Sequence, residues 1–147
     1  MTGPVHVVTA FICHGGRVLL LRRSRRVGSY PGRWAGVSGY LEDRPPLDQA
    51  LREIDEETGI GAMQLHLVGV GDPLEVVDSA LCRVWSVHPF LFEAEELPLV
   101  TLDWEHDGYR WVRPTEVELL QTVPRLGDAL KACGVAPTRV DAEPSGE

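Results

Sequence analysis

The sequence is short of cysteine, of long apolar runs and, in its first part, of acid, and each shortage excludes or narrows something. Three cysteines, Cys13, Cys82 and Cys133, are scattered over 147 residues. An odd count at such spacing fits neither a disulfide framework nor a zinc pattern, so reduced thiols in a cytoplasmic protein are expected. The five histidines are equally dispersed, and a zinc site is not expected. No segment approaches the ~18–20 apolar residues of a membrane span. The opening stretch MTGPVHVVTAFICHGG has no basic n-region, so a signal peptide is not expected either. Acid is missing from residues 1–41, which hold six arginines, and all 22 acids lie from Glu42 onward. The net charge of −8 argues against bulk nucleic-acid binding.

What is present suits a globular domain: 44% hydrophobic and 24% charged residues, at the length of one ordinary domain. A single domain is expected over 1–133, followed by a disordered tail at 134–147, rich in Pro, Ser and acids. The basic first part and acidic remainder suit a polyphosphate held by arginine beside a metal held by carboxylates. Ordinary surface mixing is the competing account.

Residues 5–13, VHVVTAFIC, are short and β-branched and read as a strand. A turn at 14–16 and a second strand at 17–23 make a hairpin. Residues 24–39 are punctuated by Pro31 and several glycines and read as loop, with a short strand around Trp34 to Val37. Further strands are expected at 65–70, 83–93 and 109–112, and closing helices at 114–121 and 123–133. Residues 71–82 and 94–108 read as loops. The order of elements points to an α/β or α+β domain with a mixed sheet.

The stretch LREIDEETGI, Leu51 to Ile60, breaks a local rule. It reads as helix, yet it holds four acids in five residues, Glu53 to Glu57. Like charges three and four apart repel by roughly 0.2–0.5 kcal/mol per pair. Gly59 is a helix stop, so Glu56 and Glu57 fall in the last turn, where the macrodipole disfavours carboxylates. On a helical wheel Leu47, Ala50, Leu51, Ile54 and Thr58 form one stripe. Glu53, Glu56 and Glu57 fall roughly opposite, at i, i+3, i+4, and can converge. Such a trio needs a hard divalent cation or solvent.

Residues 39–60, GYLEDRPPLDQALREIDEETGI, resemble the signature of the Nudix family. Gly39 matches its opening glycine, Arg52-Glu53-Ile54 its middle, and Glu56-Glu57-Thr58-Gly59-Ile60 its end. The resemblance continues in AFICHGGRVLLLRRS, PGRWAGVSG and EHDGYRWV, and covers roughly residues 4–132. Two departures stand out. The Gly39-to-Arg52 interval is one residue short, and Pro45 stands where the family has its first glutamate; Glu42 and Asp43 are near but out of register.

The resemblance implies an α/β/α sandwich with a mixed sheet and a loop-helix-loop motif. It implies a Mg²⁺- or Mn²⁺-dependent hydrolase that splits a diphosphate linkage in a nucleoside diphosphate derivative, a small-molecule partner with no nucleic acid and no membrane, and a possible homodimer. Glu53 and Glu57 would be principal metal ligands, Glu56 a ligand or base, and the backbone carbonyl of Ser38 or Gly39 a further ligand. Arg52 would orient the carboxylates. Glu105, six residues before Trp111, would be a ligand or general base. Arg22, Arg23, Arg25 and Arg26 are candidates for substrate phosphates, with Arg23 and Arg25 taken first. Trp34, Trp104 and Tyr109 are candidates for stacking a base, Trp34 foremost. A non-catalytic nucleotide sensor is the alternative. An isopentenyl diphosphate isomerase-like enzyme is disfavoured, since AGVSGYLE lacks the cysteine and histidine of that lead-in.

Overall fold

The computed structural model describes residues 3–135, and the expected tail lies from 136 onward outside that range. The elements run β1 (Val5–His14), β2 (Arg17–Arg23), β3 (Trp34–Ala35), β4 (Val37–Tyr40), α1 (Pro46–Thr58), β5 (Leu65–Val70), β6 (Leu74–Asp78), β7 (Arg83–Ala94), β8 (His106–Val112) and α2 (Leu126–Ala132). Among the described residues no helix is long and apolar enough to cross a membrane.

β1 is the axis of a mixed sheet. It lies parallel to β7 and antiparallel to β2 and β4. Its even residues Val8, Ala10 and Ile12 join Ile54, Phe90 and Phe92 on one face. Phe11 joins Leu20, Leu91, Leu126 and Leu130 on the other. Successive side chains of a strand point to opposite faces, so α1 covers one side and α2 the other. That burial on both faces explains why VHVVTAFIC is almost continuously apolar. The layers are those of an α/β/α sandwich.

One feature of the sheet opens a cleft. The segment 34–40 changes partner midway: Trp34 and Ala35 pair with β2, whereas Val37 to Tyr40 pair with β1. Gly36 sits buried at the crossing, where a Cβ would lie 3.0 Å from the Ala10 carbonyl oxygen. β1 itself pairs with β2 only at its end, Cys13↔Val18 and His14↔Arg17. Beyond that end β1 pairs with β4 and β2 pairs with β3, so the two strands diverge.

α1 starts at Pro46 without a side-chain cap; Pro45, in extended conformation, accepts the first bond from the Gln49 N–H (3.0 Å). Proline suits this first turn because its missing N–H has no partner there. Gly59 ends the helix at φ 75°, its N–H on the Asp55 carbonyl. Ala50, Ile54 and Thr58 face the core, with Leu47 and Leu51 partly buried beside them. The expected stripe is thus found, but it is wider than the wheel gave: Gln49 and Glu57 are buried as well.

Several segments differ from the sequence reading. The first closing helix is a 3₁₀ turn, Pro114–Leu119, and the second is only seven residues, Leu126–Ala132. Pro124 and the left-handed Arg125 (φ 61°) delay the second one. Residues 71–82, read as loop, contain β6, paired with β7 from Leu74↔Val87 to Asp78↔Arg83.

β5 packs against the end of α2 through glycine. A Cβ at Gly69 would stand 2.2 Å from the Cys133 carbonyl oxygen. We expect Gly69→Ala to destabilise the protein by roughly 1–3 kcal/mol, the usual effect of overpacking. Gly61→Ala, whose Cβ would come no nearer than 4.0 Å to Gln64, should stay within about 0.5 kcal/mol of wild type. Urea midpoints of the two variants check the contrast.

Candidate active site

The divergence of β1 and β2 leaves a cavity of about 380 Å³. One end holds Glu42, Glu53, Glu56, Glu105 and Arg23. The other runs over the sheet toward α2, among Val7, Leu74, Val76, Val87, Leu126 and Ala129. A carboxylate-rich mouth is thus joined to an apolar floor.

The acidic end is built by α1, β4 and the loop before β8. Glu53 lies against Gly39: a Cβ at Gly39 would sit 2.3 Å from the Glu53 carboxyl carbon, so only glycine lets the carboxylate rest on the strand. The buried amide of Gln49, one turn earlier, donates to Glu53 Oε2 at 2.8 Å. Arg52 Nε donates to Glu56 Oε2 at 2.9 Å, an exposed pair. Arg52 therefore holds Glu56, in the orienting place the family resemblance implies.

Glu57 departs from expectation. It is 1% exposed, not on the open face, and neither carboxyl oxygen has a hydrogen-bond partner. Its nearest cationic candidate is the buried His106, Nε2 at 3.7 Å, whose Nδ1 faces Asp103 at 3.4 Å. Burial pushes the Glu57 carboxyl well above the ordinary range, and the charges of Glu105 and Glu53 push the same way. Burial also raises Glu53, partly offset by the Gln49 bond, and raises Glu105, with Asp103 and Glu53 adding and Arg23 opposing. Burial lowers His106, against the pull of Asp103. The cation that faces this end of the cleft is Arg23, half-buried among Glu53, Glu56 and Glu105.

Of the expected substrate residues, Arg23 is in place. It is half-buried in the cleft, its guanidinium donating to the Ser29 carbonyl (2.8 Å) and hydroxyl (3.0 Å). Glu105 lines the cleft beside it. Arg25 is exposed and outside the lining. Arg22 turns away to Asp107 at 2.7 Å. Trp34 also lies outside the cleft: it packs on the α2 side, with Arg22 and Arg110 over its ring. Alternation along the strands decides these outcomes. Trp104 is exposed at a neighbouring groove. The aromatics that do line the cleft are Tyr30, Tyr40 and Trp85. Sequence reasoning missed Tyr30, Trp85, Gln49 and Asp103; a glutamine one turn before Glu53 was the readable signal for one of them.

The donor set fits a divalent cation. Among the described residues no three His, Cys, Asp or Glu side chains already stand in a ligating cluster. The fit rests instead on the two orphan oxygens of Glu57 and on the glycine-backed carboxylate of Glu53. Carboxylate and carbonyl oxygens, with no sulfur, suit a hard ion such as Mg²⁺ or Mn²⁺.

A model of the NUDIX domain matches residues 4–133. The oxidized purine nucleoside triphosphate hydrolase of Mus musculus is 33% identical over 110 residues, 63% of this chain and 68% of the mouse protein. The Ap4A hydrolase of C. elegans, solved as a binary complex, is similar in fold with a TM-score of 0.72, at 22% identity over 87% of this chain and 93% of its own. The MutT protein of Methanosarcina mazei Go1 gives 0.72 at 24% identity, over 89% and 94% of the two chains. The matched span takes in the sheet, both helices and the acidic cleft, and the chain belongs to the NUDIX domain family as a Nudix pyrophosphohydrolase.

Proposed function

We propose that the protein is a Mg²⁺- or Mn²⁺-dependent hydrolase that cleaves a diphosphate linkage in a nucleoside diphosphate derivative by attack of water on phosphorus. The observation that carries this reading is Glu57, a carboxylate buried beside other acids with no partner in the fold. Such a group is destabilising unless a cation joins it. Glu53 and Glu57 would be the principal ligands, Glu56 a further one held by Arg52, and the Ser38 or Gly39 carbonyl would complete the set. A bound divalent ion polarises phosphate oxygens and lowers the pKa of a bound water.

The chain's own residues supply the rest. Phosphoryl transfer depends on positioning and charge neutralisation more than on covalent chemistry. Arg23, fixed by Ser29, would pair with substrate phosphate. Glu105 would take the proton of the attacking water or add a ligand oxygen. The mouse relative's name points to a nucleoside triphosphate among the candidate substrates. The three free thiols suit a reducing cytoplasm.

Incubation with Mg²⁺ and a panel of nucleoside triphosphates, nucleotide sugars and dinucleoside polyphosphates should release a nucleoside monophosphate, and EDTA should stop it. Glu57→Gln should lower kcat by about 10²-fold or more. Gln49→Met keeps the volume and removes the donor to Glu53; it should weaken Mn²⁺ binding roughly tenfold, as loss of a ligand's supporting contact does. Turnover in EDTA, or a wild-type rate from Glu57→Gln, would sink the proposal. Tight nucleotide binding to both forms without turnover would favour the sensor alternative.

The metal-free protein should also depend on pH in a definite direction. Glu57 is raised in the fold relative to the unfolded chain. Its contribution to stability is therefore fully present below the ordinary glutamate range and is lost as pH rises through the raised value. In EDTA the melting temperature should fall between pH 5 and pH 8, more steeply for wild type than for Glu57→Gln. At pH 8 Glu57→Gln should melt higher by roughly 3 °C, which corresponds to about 1 kcal/mol at this size. Mg²⁺ should stabilise wild type and not the variant. Equal pH slopes in scanning calorimetry would contradict the assignment.

A further inference from the structure

The apolar end of the cleft differs in kind from the acidic end. Its walls come from Val7, Leu74, Val76, Val87, Leu126 and Ala129. Apart from the acidic end and the Ser38 and Tyr40 hydroxyls of β4, the polar side chains that line the cavity are mostly engaged within the protein. The Tyr30 hydroxyl donates to Asp78. Ser29 accepts from Arg23. Arg125 donates to Asp128 at 3.0 Å and to the Glu75 carbonyl at 2.6 Å. What remains at the floor is the Thr9 hydroxyl and the indole N–H of Trp85, which is buried without a partner. No Asp, Glu, Asn, Gln, His or Lys side chain lines that end among the described residues.

A hydroxyl rotates to serve as donor or acceptor, and an indole is a donor only. Together they cannot form the paired donor-and-acceptor fork that distinguishes one base edge from another. Two aromatic rings do face the space. Tyr30, held at φ 49° and tied to Asp78 on β6, closes the cleft from the loop side. Trp85 stands on β7, with the Arg83 guanidinium over its ring at 5.4 Å from the ring centre. Flat groups between such walls are held by stacking, which is sequence-tolerant because every base has a π-face.

We infer that this end takes the planar base-like group of the substrate by shape and stacking, without reading its hydrogen-bonding edge. The inference rests on the proposed hydrolase reading and specifies its substrate class: nucleoside polyphosphates irrespective of base, oxidised or not. It separates this chain from its mouse relative, whose name specifies oxidized purines. The size of the effect decides the matter. Sites built to pair a substrate's polar group reject the analogue lacking it by about 10⁴–10⁵-fold, whereas apolar pockets discriminate by only about 10–200-fold, through size. Adenine and guanine share a ring shape and present opposed edges, so they isolate the hydrogen-bond contribution.

With the full-length protein and Mg²⁺, kcat/KM for dATP, dGTP and 8-oxo-dGTP should agree within about tenfold, the lower limit for a pocket that reads size alone. A preference beyond a hundredfold for any one of the three would overturn the inference. Tyr30→Ala should raise KM about tenfold or more for all three alike, the loss expected of a stacking wall. A selective rise for one base would again overturn it. Equilibrium binding of dAMP, dGMP and 8-oxo-dGMP, followed by tryptophan fluorescence, reads the pocket apart from catalysis. If neither these triphosphates nor any other member of the nucleoside diphosphate panel turns over, the hydrolase reading fails, and monophosphate affinities within tenfold still uphold the shape-reading pocket. A hundredfold spread, or no binding of any monophosphate, overturns it.

Discussion

The carboxylate of Glu57 is buried among like charges, and much of the local structure exists to hold it there. A charge withdrawn from water without a partner is strongly unfavourable. The backbone around it is correspondingly over-determined. Thr58, the next residue, is fully buried, its hydroxyl donating to the Ile54 carbonyl at 2.6 Å and its carbonyl accepting from the Thr101 N–H at 2.8 Å. Gly59 then leaves the helix in a left-handed turn. The end of α1 is thereby pinned to the loop that carries Asp103, Glu105 and His106, so the two halves of the acidic end cannot drift apart.

Each of the three helix carboxylates is restrained by different means. Glu53 is laid on Gly39 and bonded by Gln49; Glu56 is steered by Arg52 from the surface; Glu57 is confined by packing alone. The gradient from exposed to buried follows their angular order around α1. It places an exposed carboxylate, paired with Arg52, beside a buried one without a hydrogen-bond partner in the same helical turn. The shortened loop before the helix is accommodated by Pro45 and Pro46, which open α1 directly, while Glu42 lines the cleft although it is out of register with the family's first glutamate.

Most of the fold was legible from pattern. β2 and β5 match the sequence reading residue for residue, and the α1 stripe of Ala50, Leu51 and Ile54 is where a 3.6-residue period puts it. The failures have physical causes. Leu74–Asp78 was read as loop because Pro73 and Ser79 bracket only five residues, and the strand forms because β7 is long enough to pair with two successive segments. The closing helices shrank because Pro124 interrupts them. The acidic residues of the site were legible because repulsion within one helix demands an explanation. The depth of Glu57 was not, since a wheel gives direction and not the height of the neighbouring loop. Trp34 illustrates the converse: an aromatic beside a motif has the right chemistry, yet strand alternation sent its ring to the other face.

The change of hydrogen-bond partner at Gly36 has a further consequence. Because β3 belongs to β2 and β4 to β1, the ladder is interrupted at the one point where the acidic mouth meets the apolar floor. The acidic side is fixed by β4 and α1, and the floor by β6, β7 and α2. The floor residues of β1 are paired directly with β4, whereas Leu74 and Val76 of β6 and Leu126 and Ala129 of α2 are not, so side chains at those four positions can be exchanged without passing distortion along the ladder to Gly39. A single bend thus sets the acidic end apart from the part of the floor built by β6 and α2, and replacing residues there one at a time reshapes the cavity while Gly39 and Glu53 stay in register.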